Sequence, residues 1–215
     1  MKRRSFLKHS FALAASGSVF LSSTAAWAAA DAVKLVIVGD GGVGKTSALM
    51  SYAMNLFPGR TPPMQMDTRT VSTTVDGRRT ALTLFDTIGQ DAYDRLRPLS
   101  YPGTDVFIVA YSVSSPSSFG NVSGKWLPEL AHHSRGVPIL LAGLKTDLRE
   151  GEKRPHHSFL ATAQGSQLAH AHGLGFGECS ALTQTGLKPL FDSAVRLARA
   201  TKRNRYKLRN PLRMK

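Results

Sequence analysis

A single cysteine, Cys179, among 215 residues excludes an internal disulfide framework and any thiolate-cluster zinc site, since each needs at least two sulfurs. Aromatic residues are sparse at 8%. The apolar run Phe11 to Leu21 is broken by Ser16, Gly17 and Ser18, and it falls short of the roughly 20 apolar residues a membrane-spanning helix requires. Acidic residues are scarce as well: 14 stand against 28 Lys and Arg, for a formal net charge of +14. Taken whole, that imbalance points to nucleic acid or an anionic membrane surface. A hydrophobic content of 42% together with 19 glycines excludes an intrinsically disordered chain.

The scarcity of acids is local. Residues 1–30 carry Lys2, Arg3, Arg4 and Lys8 and no acid, and residues 201–215 carry seven basic residues and no acid. The stretch between, 31–200, holds 17 basic and 14 acidic residues, which is close to balance. The body is therefore not a basic protein, and specific binding of nucleic acid is not expected of it. Three regions follow: a leader over 1–28, a domain over 29–200 and a basic tail over 201–215. In the leader, Arg3-Arg4-Ser5-Phe6-Leu7-Lys8 is a twin-arginine pattern, followed by the apolar run and then Ala26-Trp27-Ala28, an A-x-A cleavage signature with the cut expected after Ala28. Export to the periplasm is the expectation; a cytoplasmic protein with a disordered extension is the alternative. The tail fits weak contact with anionic lipid, at about 1 kcal/mol per cation near the surface, or a solvated helix end.

Between the ends, strands and helices alternate. Val33–Val38 is a continuous apolar run of the buried parallel-strand kind, interrupted only by Lys34. A helix over Thr46–Leu56 opens straight out of a glycine loop. Strands at Val71–Val75 and Ala81–Phe85 flank the hairpin signal Asp76-Gly77. Val106–Tyr111, Val137–Ala142 and Phe176–Cys179 complete six strands, with helical patterns over Ser117–Leu130, within Phe159–Ala171 and over Leu187–Ala200. This pattern predicts an α/β fold: a mostly parallel six-stranded sheet with one antiparallel hairpin and helices on both faces.

Gly39-Asp40-Gly41-Gly42-Val43-Gly44-Lys45-Thr46 satisfies G-x-x-x-x-G-K-[ST] between a strand and a helix, the context that a phosphate-binding loop requires. The backbone of Gly41, Gly42, Val43 and Gly44 is the expected anion nest, and the helix beginning with Lys45, Thr46 and Ser47 adds its positive end. Lys45 is placed to reach β- and γ-phosphates, and the Thr46 hydroxyl to ligate Mg²⁺. Asp86-Thr87-Ile88-Gly89-Gln90 closes a strand, so Asp86 can hold the metal, Gly89 can offer its N–H to a γ-phosphate, and Gln90 can orient an attacking water. Lys145-Thr146-Asp147 follows another strand. The Asp147 carboxylate can accept two N–H bonds from the edge of guanine, the Lys145 stem can cover the base, and Ser180-Ala181 can turn its backbone toward the guanine carbonyl.

These four elements, in this order, resemble the Ras superfamily of small GTPases, and a Rho/Rac type within it. Asn55-Leu56-Phe57-Pro58-Gly59, Tyr93-Asp94-Arg95-Leu96-Arg97-Pro98-Leu99-Ser100-Tyr101-Pro102, Ser115-Pro116-Ser117-Ser118-Phe119, Lys125-Trp126 and Glu178-Cys179-Ser180-Ala181-Leu182-Thr183 carry the likeness. The resemblance implies a P-loop GTPase fold, GTP/GDP and Mg²⁺ as ligands, hydrolysis of GTP to GDP and phosphate, and a Rho-like molecular switch. It also implies Phe57 packing on the guanine, Lys45, Thr46 and Asp86 serving phosphate and metal, Gln90 serving hydrolysis, and Lys145, Asp147 and Ala181 serving the base. Regulators or effectors of Rho type are the implied protein partners, and a monomer is expected.

The chain also departs from that pattern. Met64 stands where the family places a metal-ligating threonine, and a thioether is a poor ligand for a hard cation. Ile88 replaces a small residue next to Gly89, and Leu144 replaces a polar residue that braces the phosphate loop. The insert between Arg149 and Gln164 is short, and the chain ends Leu212-Arg213-Met214-Lys215 without a prenylation cysteine. A nucleotide-binding interaction module with little hydrolysis or switching is the alternative these departures raise. The pairs His132-His133 and His156-His157 lack partners at ligand spacing, and Cys179 reads as a packed small hydrophobe rather than a nucleophile. Export predicts an exported protein whose first residue by N-terminal sequencing is Ala29; an intact Met1 in the cytoplasm contradicts it.

Overall fold

The computed structural model describes residues 31–59, 68–150 and 159–209. The leader over 1–28, the segment Thr61–Asp67 with Met64, the pair His156-His157 and the last six residues of the tail lie outside them. Strand β1 (Ala32–Gly39) shows why the sheet must be covered on both sides. Its odd-numbered residues Val33, Leu35 and Ile37 enter one buried cluster, and Val36 and Val38 enter another. Successive side chains of a strand point to opposite faces, so a continuous apolar strand demands helices on each.

Beside β1 lie β3 (Arg78–Phe85) and β4 (Val106–Ser112), both parallel to it. β2 (Arg69–Val75) pairs antiparallel with β3 around the Asp76-Gly77 turn, with Val75 opposite Arg78. β5 (Ile139–Leu144) and β6 (Gly175–Cys179) extend the parallel side, giving the order β2-β3-β1-β4-β5-β6. This is the mixed, mostly parallel six-stranded α/β sheet that the alternation of elements predicts.

One face is covered by α1 (Lys45–Met54) and α6 (Leu187–Arg209). Phe191, Ala194, Val195 and Ala198 of α6 pack on Leu35, Ile37, Leu82 and Ile108, and Tyr52 of α1 stacks on Phe191 at 4.0 Å between ring centroids. The other face is covered by α2 (Pro116–Asn121), a π-helical turn (Val122–Trp126), α3 (Leu127–His133) and α5 (Thr162–Ala171). Trp126, fully buried, fills the centre of that side with Phe107, Val109 and Tyr111. A short helix, α4 (Asp147–Glu150), follows β5. Among the described residues, no helix is long and apolar enough to cross a membrane.

Several boundaries differ from the sequence expectation, and three of the differences have a plain physical reason. β5 begins at Ile139 rather than Val137, because Pro138 has no N–H to give the ladder; its carbonyl still accepts from Phe107 N–H at 3.0 Å. The helix expected over Ser117–Leu130 is interrupted by the π turn in a stretch containing Gly120, Gly124 and Pro128, all weak helix formers. The last helix runs on to Arg209 rather than stopping at Ala200. There Lys202 donates to the Ala32 carbonyl at 2.7 Å and pairs with Asp105, and Arg205 donates to the Gly136 carbonyl, so polar anchors replace the apolar stripe.

One residue fastens that helix to the far edge of the sheet. Arg199 donates to the Val75 carbonyl at 3.0 Å, to Asp31 at 2.6 Å and to the Thr80 hydroxyl, tying α6 to the β2–β3 hairpin. Arg199→Ala should cost about 2–3 kcal/mol, the usual magnitude for charge-assisted bonds of this burial, read as a shift in the urea midpoint. An unchanged midpoint contradicts this account of the hairpin's attachment.

Candidate functional site

The loops at the C-terminal ends of β1, β3, β5 and β6 meet in one cleft of about 480 Å³. β1 lies at the centre of the sheet with neighbours reached in opposite directions, which is where open α/β sheets place their ligands. Gly41, Gly42, Gly44, Lys45, Thr46, Ser47, Phe57, Gly89, Gln90, Lys145, Asp147 and Ala181 all line this cleft. These residues come from five separate stretches of the sequence, and the fold brings them to one place. Val43, Asp86 and Ser180 are not among the lining residues. Val43 packs into the core, and Asp86 and Ser180 lie buried behind the cleft wall, where each holds a residue that does line it.

The phosphate loop turns through left-handed backbone at Gly42 (φ +75°) and Gly44 (φ +108°), conformations that cost any other residue strain. Gly44 is the N-cap of α1 and no side chain caps the helix, so its first N–H groups are left facing the cleft mouth. Lys45 is 6% exposed, and its ammonium donates to the carbonyls of Gly39 and Asp40, each at 2.8 Å. Burial lowers its pKa from 10.5 to about 8; Asp86 and Asp40 pull it up, and Arg97 pushes it further down. The Thr46 hydroxyl donates to Asp86 Oδ2 at 2.6 Å. A hydroxyl and a carboxylate in contact are hard oxygen donors of the kind Mg²⁺ prefers, so the residues present fit that ion.

The loop after β3 sits directly on the phosphate loop. A Cβ on Gly89 would lie 2.2 Å from the Gly39 carbonyl oxygen and 2.7 Å from Gly41 N, so only glycine fits here. Thr87 beside it donates to the Ile37 carbonyl at 2.6 Å. Gln90 is exposed at the rim. Ile88 is half-buried and lines the cleft, and Leu144, buried, lies 3.9 Å from where a Gly44 Cβ would stand. Leu144 therefore meets the phosphate loop with an apolar side chain, as its identity in the sequence implies.

After β5, Lys145 has a left-handed backbone (φ +63°), which folds its stem back over Gly44, and its ammonium donates to the Gly42 carbonyl at 2.6 Å. Ser180, fully buried, donates to Asp147 Oδ1 at 2.5 Å and accepts from Thr183 N–H, so it aims the carboxylate. Ser51 of α1 donates to the Ala181 carbonyl at 2.8 Å, fixing this loop to the helix that opens at the phosphate loop. Cys179 is buried with its thiol pushed up to about 12 by burial, Glu178 and Asp147, which suits packing rather than nucleophilic chemistry. His132 and His133 meet edge to face at 4.6 Å; among the described residues, no three His, Cys, Asp or Glu side chains gather in a metal-holding group.

Sequence reasoning missed the role of Asp40. Its carboxylate accepts from Trp126 Nε1 at 2.8 Å and from Asn121 Nδ2 at 2.7 Å, so the second residue of the phosphate loop is held from the opposite helix layer. The partners lie 86 and 81 residues away in the chain, and no local pattern announces them.

With this geometry in hand, a comparison with protein families finds a match to the model described as Ras family over residues 34–200. The matched stretch begins in β1 and ends within α6, and it contains every one of the cleft residues named above.

Lys45 makes the cleft sensitive to pH. A phosphate group beside it favours the charged ammonium and raises its pKa again, so ligand binding above pH 8 must take up protons and weaken as pH rises, by at most about tenfold per pH unit. Calorimetry of GDP binding at pH 8.5 in two buffers of different ionisation enthalpy should report uptake, with little at pH 6.5. Equal heats in both buffers at pH 8.5 contradict the lowered pKa.

Proposed function

The chain belongs to the Ras family and carries its small GTPase domain, and from that premise we propose that it binds GTP and GDP with Mg²⁺ in this cleft and hydrolyses GTP to GDP and phosphate as a Rho-like switch. Membership of the family implies guanine-nucleotide binding and hydrolysis in general; the assignments to single residues are ours. One observation carries the reading: Lys45, the Thr46–Asp86 pair and the Ser180-aimed Asp147 converge on a single cleft from four different loops.

In this reading the backbone N–H groups at the head of α1 and the Lys45 ammonium bind the β- and γ-phosphates. Thr46 and Asp86 hold Mg²⁺, which when bound offsets phosphate charge. Gly89 offers its N–H to the γ-phosphate, and Gln90 orients a water for in-line attack on γ-phosphorus, with GDP as the leaving group. Asp147 accepts the two guanine N–H bonds, Lys145 and Phe57 cover the faces of the base, and Ala181 contributes backbone near its carbonyl. Among the described residues no arginine lines the cleft, and in this reading turnover is slow unless a cationic finger is supplied to it. Regulators and effectors of Rho type are the proposed protein partners. The same proposal includes export through the leader over 1–28, and weak contact of the basic tail with anionic lipid. Two of the tail's cations, Lys202 and Arg205, are turned back onto the domain, which leaves fewer for that contact.

A second reading rests on Ile88. A β-branched side chain lining the cleft next to Gly89 and Gln90 restricts how the glutamine approaches the γ-phosphate, and favours a module that binds nucleotide but turns it over little. Single-turnover hydrolysis decides between the two: the switch reading expects GDP to form and Gln90→Leu to slow it by about 10²-fold, whereas no change on Gln90→Leu supports the module. For binding itself, Asp147→Ala should weaken GDP affinity by about 100-fold or more, because two bonds to a charged acceptor contribute roughly 1.5–3 kcal/mol each. Calorimetry that finds no guanine nucleotide bound to the wild-type protein, and no difference in Asp147→Ala, overturns the proposed function.

A further inference from the structure

Arg97 is an arginine that the proposed reaction does not use, yet its side chain is 1% exposed, and all but one of its N–H groups can be accounted for. Nε donates to the Ile88 carbonyl at 3.0 Å. One terminal nitrogen donates to Glu129 at 2.7 Å, and the other donates to Asp94 at 2.5 Å and to the Gln90 carbonyl at 3.3 Å. The guanidinium carbon lies over the ring of Trp126, 4.6 Å from its centre, the same tryptophan whose indole N–H holds Asp40 of the phosphate loop. Its partner Glu129 is fixed in turn by the Tyr101 hydroxyl, and Asp94 also accepts from Lys125 at 3.0 Å.

The two carbonyls that Arg97 grips belong to Ile88 and Gln90, the residues on either side of Gly89. A trans peptide is planar, and its N–H points opposite to its C=O. Fixing the Ile88 carbonyl toward Arg97 therefore aims the Gly89 N–H away from Arg97. Fixing the Gln90 carbonyl sets the plane of the peptide that follows the glutamine. The backbone from 88 to 90 is thus clamped between the fork of Arg97 and the phosphate loop, against which Gly89 packs too closely for any Cβ. Trp126 closes the circuit, touching the guanidinium with its face and Asp40 with its edge. Both loops that meet the phosphates are referenced to one buried Arg–Trp pair.

We propose that Arg97 is a positioning residue for GTP hydrolysis: it acts through the Ile88 and Gln90 carbonyls to hold Gly89 N–H and the Gln90 side chain in their working places, without touching nucleotide. The inference rests on the hydrolytic reading above. A lysine can keep the charge opposite Glu129 and Asp94, but three donors on one nitrogen cannot span two backbone carbonyls and two carboxylates. A neutral pair, Arg97→Gln with Glu129→Gln, leaves no buried charge unpaired and serves where the lysine variant does not fold.

The test is single-turnover hydrolysis of bound GTP, measured beside GDP dissociation, for wild type, Arg97→Lys, the neutral pair, Gln90→Leu and the double variant Arg97→Lys with Gln90→Leu. We expect hydrolysis at least about tenfold slower in Arg97→Lys and in the neutral pair, with GDP dissociation within about threefold of wild type. We also expect no further slowing when Arg97→Lys is added to Gln90→Leu, because the arginine acts through the glutamine. Wild-type hydrolysis retained within twofold in the folded variants overturns the assignment of Arg97 alone. So does a loss that multiplies with that of Gln90→Leu, or one matched by equally faster GDP loss, since each describes a merely structural arginine. Wild-type protein that holds GTP without cleaving it overturns instead the hydrolytic reading on which the inference stands.

Discussion

Lys45 places a cation where the protein gives it almost no water and, among the described residues, two neutral carbonyls, those of Gly39 and Asp40, as direct partners. Much of the site can be understood as what it takes to keep that charge there. Two carboxylates, Asp86 and Asp40, favour the ammonium without contacting it, and both are committed elsewhere: Asp86 to Thr46, Asp40 to Asn121 and Trp126. The balance stays incomplete, which is why the pKa falls to about 8. A partly compensated buried cation at the head of a helix is a strong attractor for phosphate, because an anion there supplies what the fold withholds.

The sheet makes this arrangement possible. β1 is apolar on both sides and is buried by two helical layers, so its C-terminal end emerges at the centre of the molecule as a fixed point. The glycine loop leaves from that point, and α1 starts from the loop. Strands β3, β5 and β6 deliver Asp86, Lys145, Asp147 and Ser180 to the same end because the sheet is parallel there. Links across the layers then remove residual freedom: Ser51 to the Ala181 carbonyl, Lys145 to the Gly42 carbonyl, and Trp126 to Asp40. Each joins two elements that are distant in sequence and meet at or behind the cleft.

Much of this was legible in the sequence where chemistry is local. The run Val33–Val38 announces a buried strand, Gly39–Thr46 a phosphate loop, and Asp76-Gly77 a hairpin, because each depends on residues within one turn or one strand. Asp86 and Ser180 were recognised as site residues, but their hydrogen bonds to Thr46 and Asp147 were not, because each joins two loops far apart in the chain. The clamp on Asp40 and the grip of Arg97 on residues 88 to 90 were invisible, since they join side chains to groups on other elements. The end of α6 was misjudged for the opposite reason. Apolar periodicity stops near Ala200, but Lys202 and Arg205 continue the helix by bonding to backbone carbonyls, an anchorage that hydrophobic pattern does not register. The π turn likewise has no simple signature beyond a local weakness in helix formers.

The central claim is that one cleft binds a guanine nucleotide and cleaves its terminal phosphate. Phosphorus NMR of the protein loaded with GTP and Mg²⁺ observes both parts at once. The account predicts resonances of bound GTP giving way over time to those of bound GDP and free inorganic phosphate, with ATP failing to compete. Resonances of free GTP only, or bound GTP displaced as readily by ATP, would contradict it.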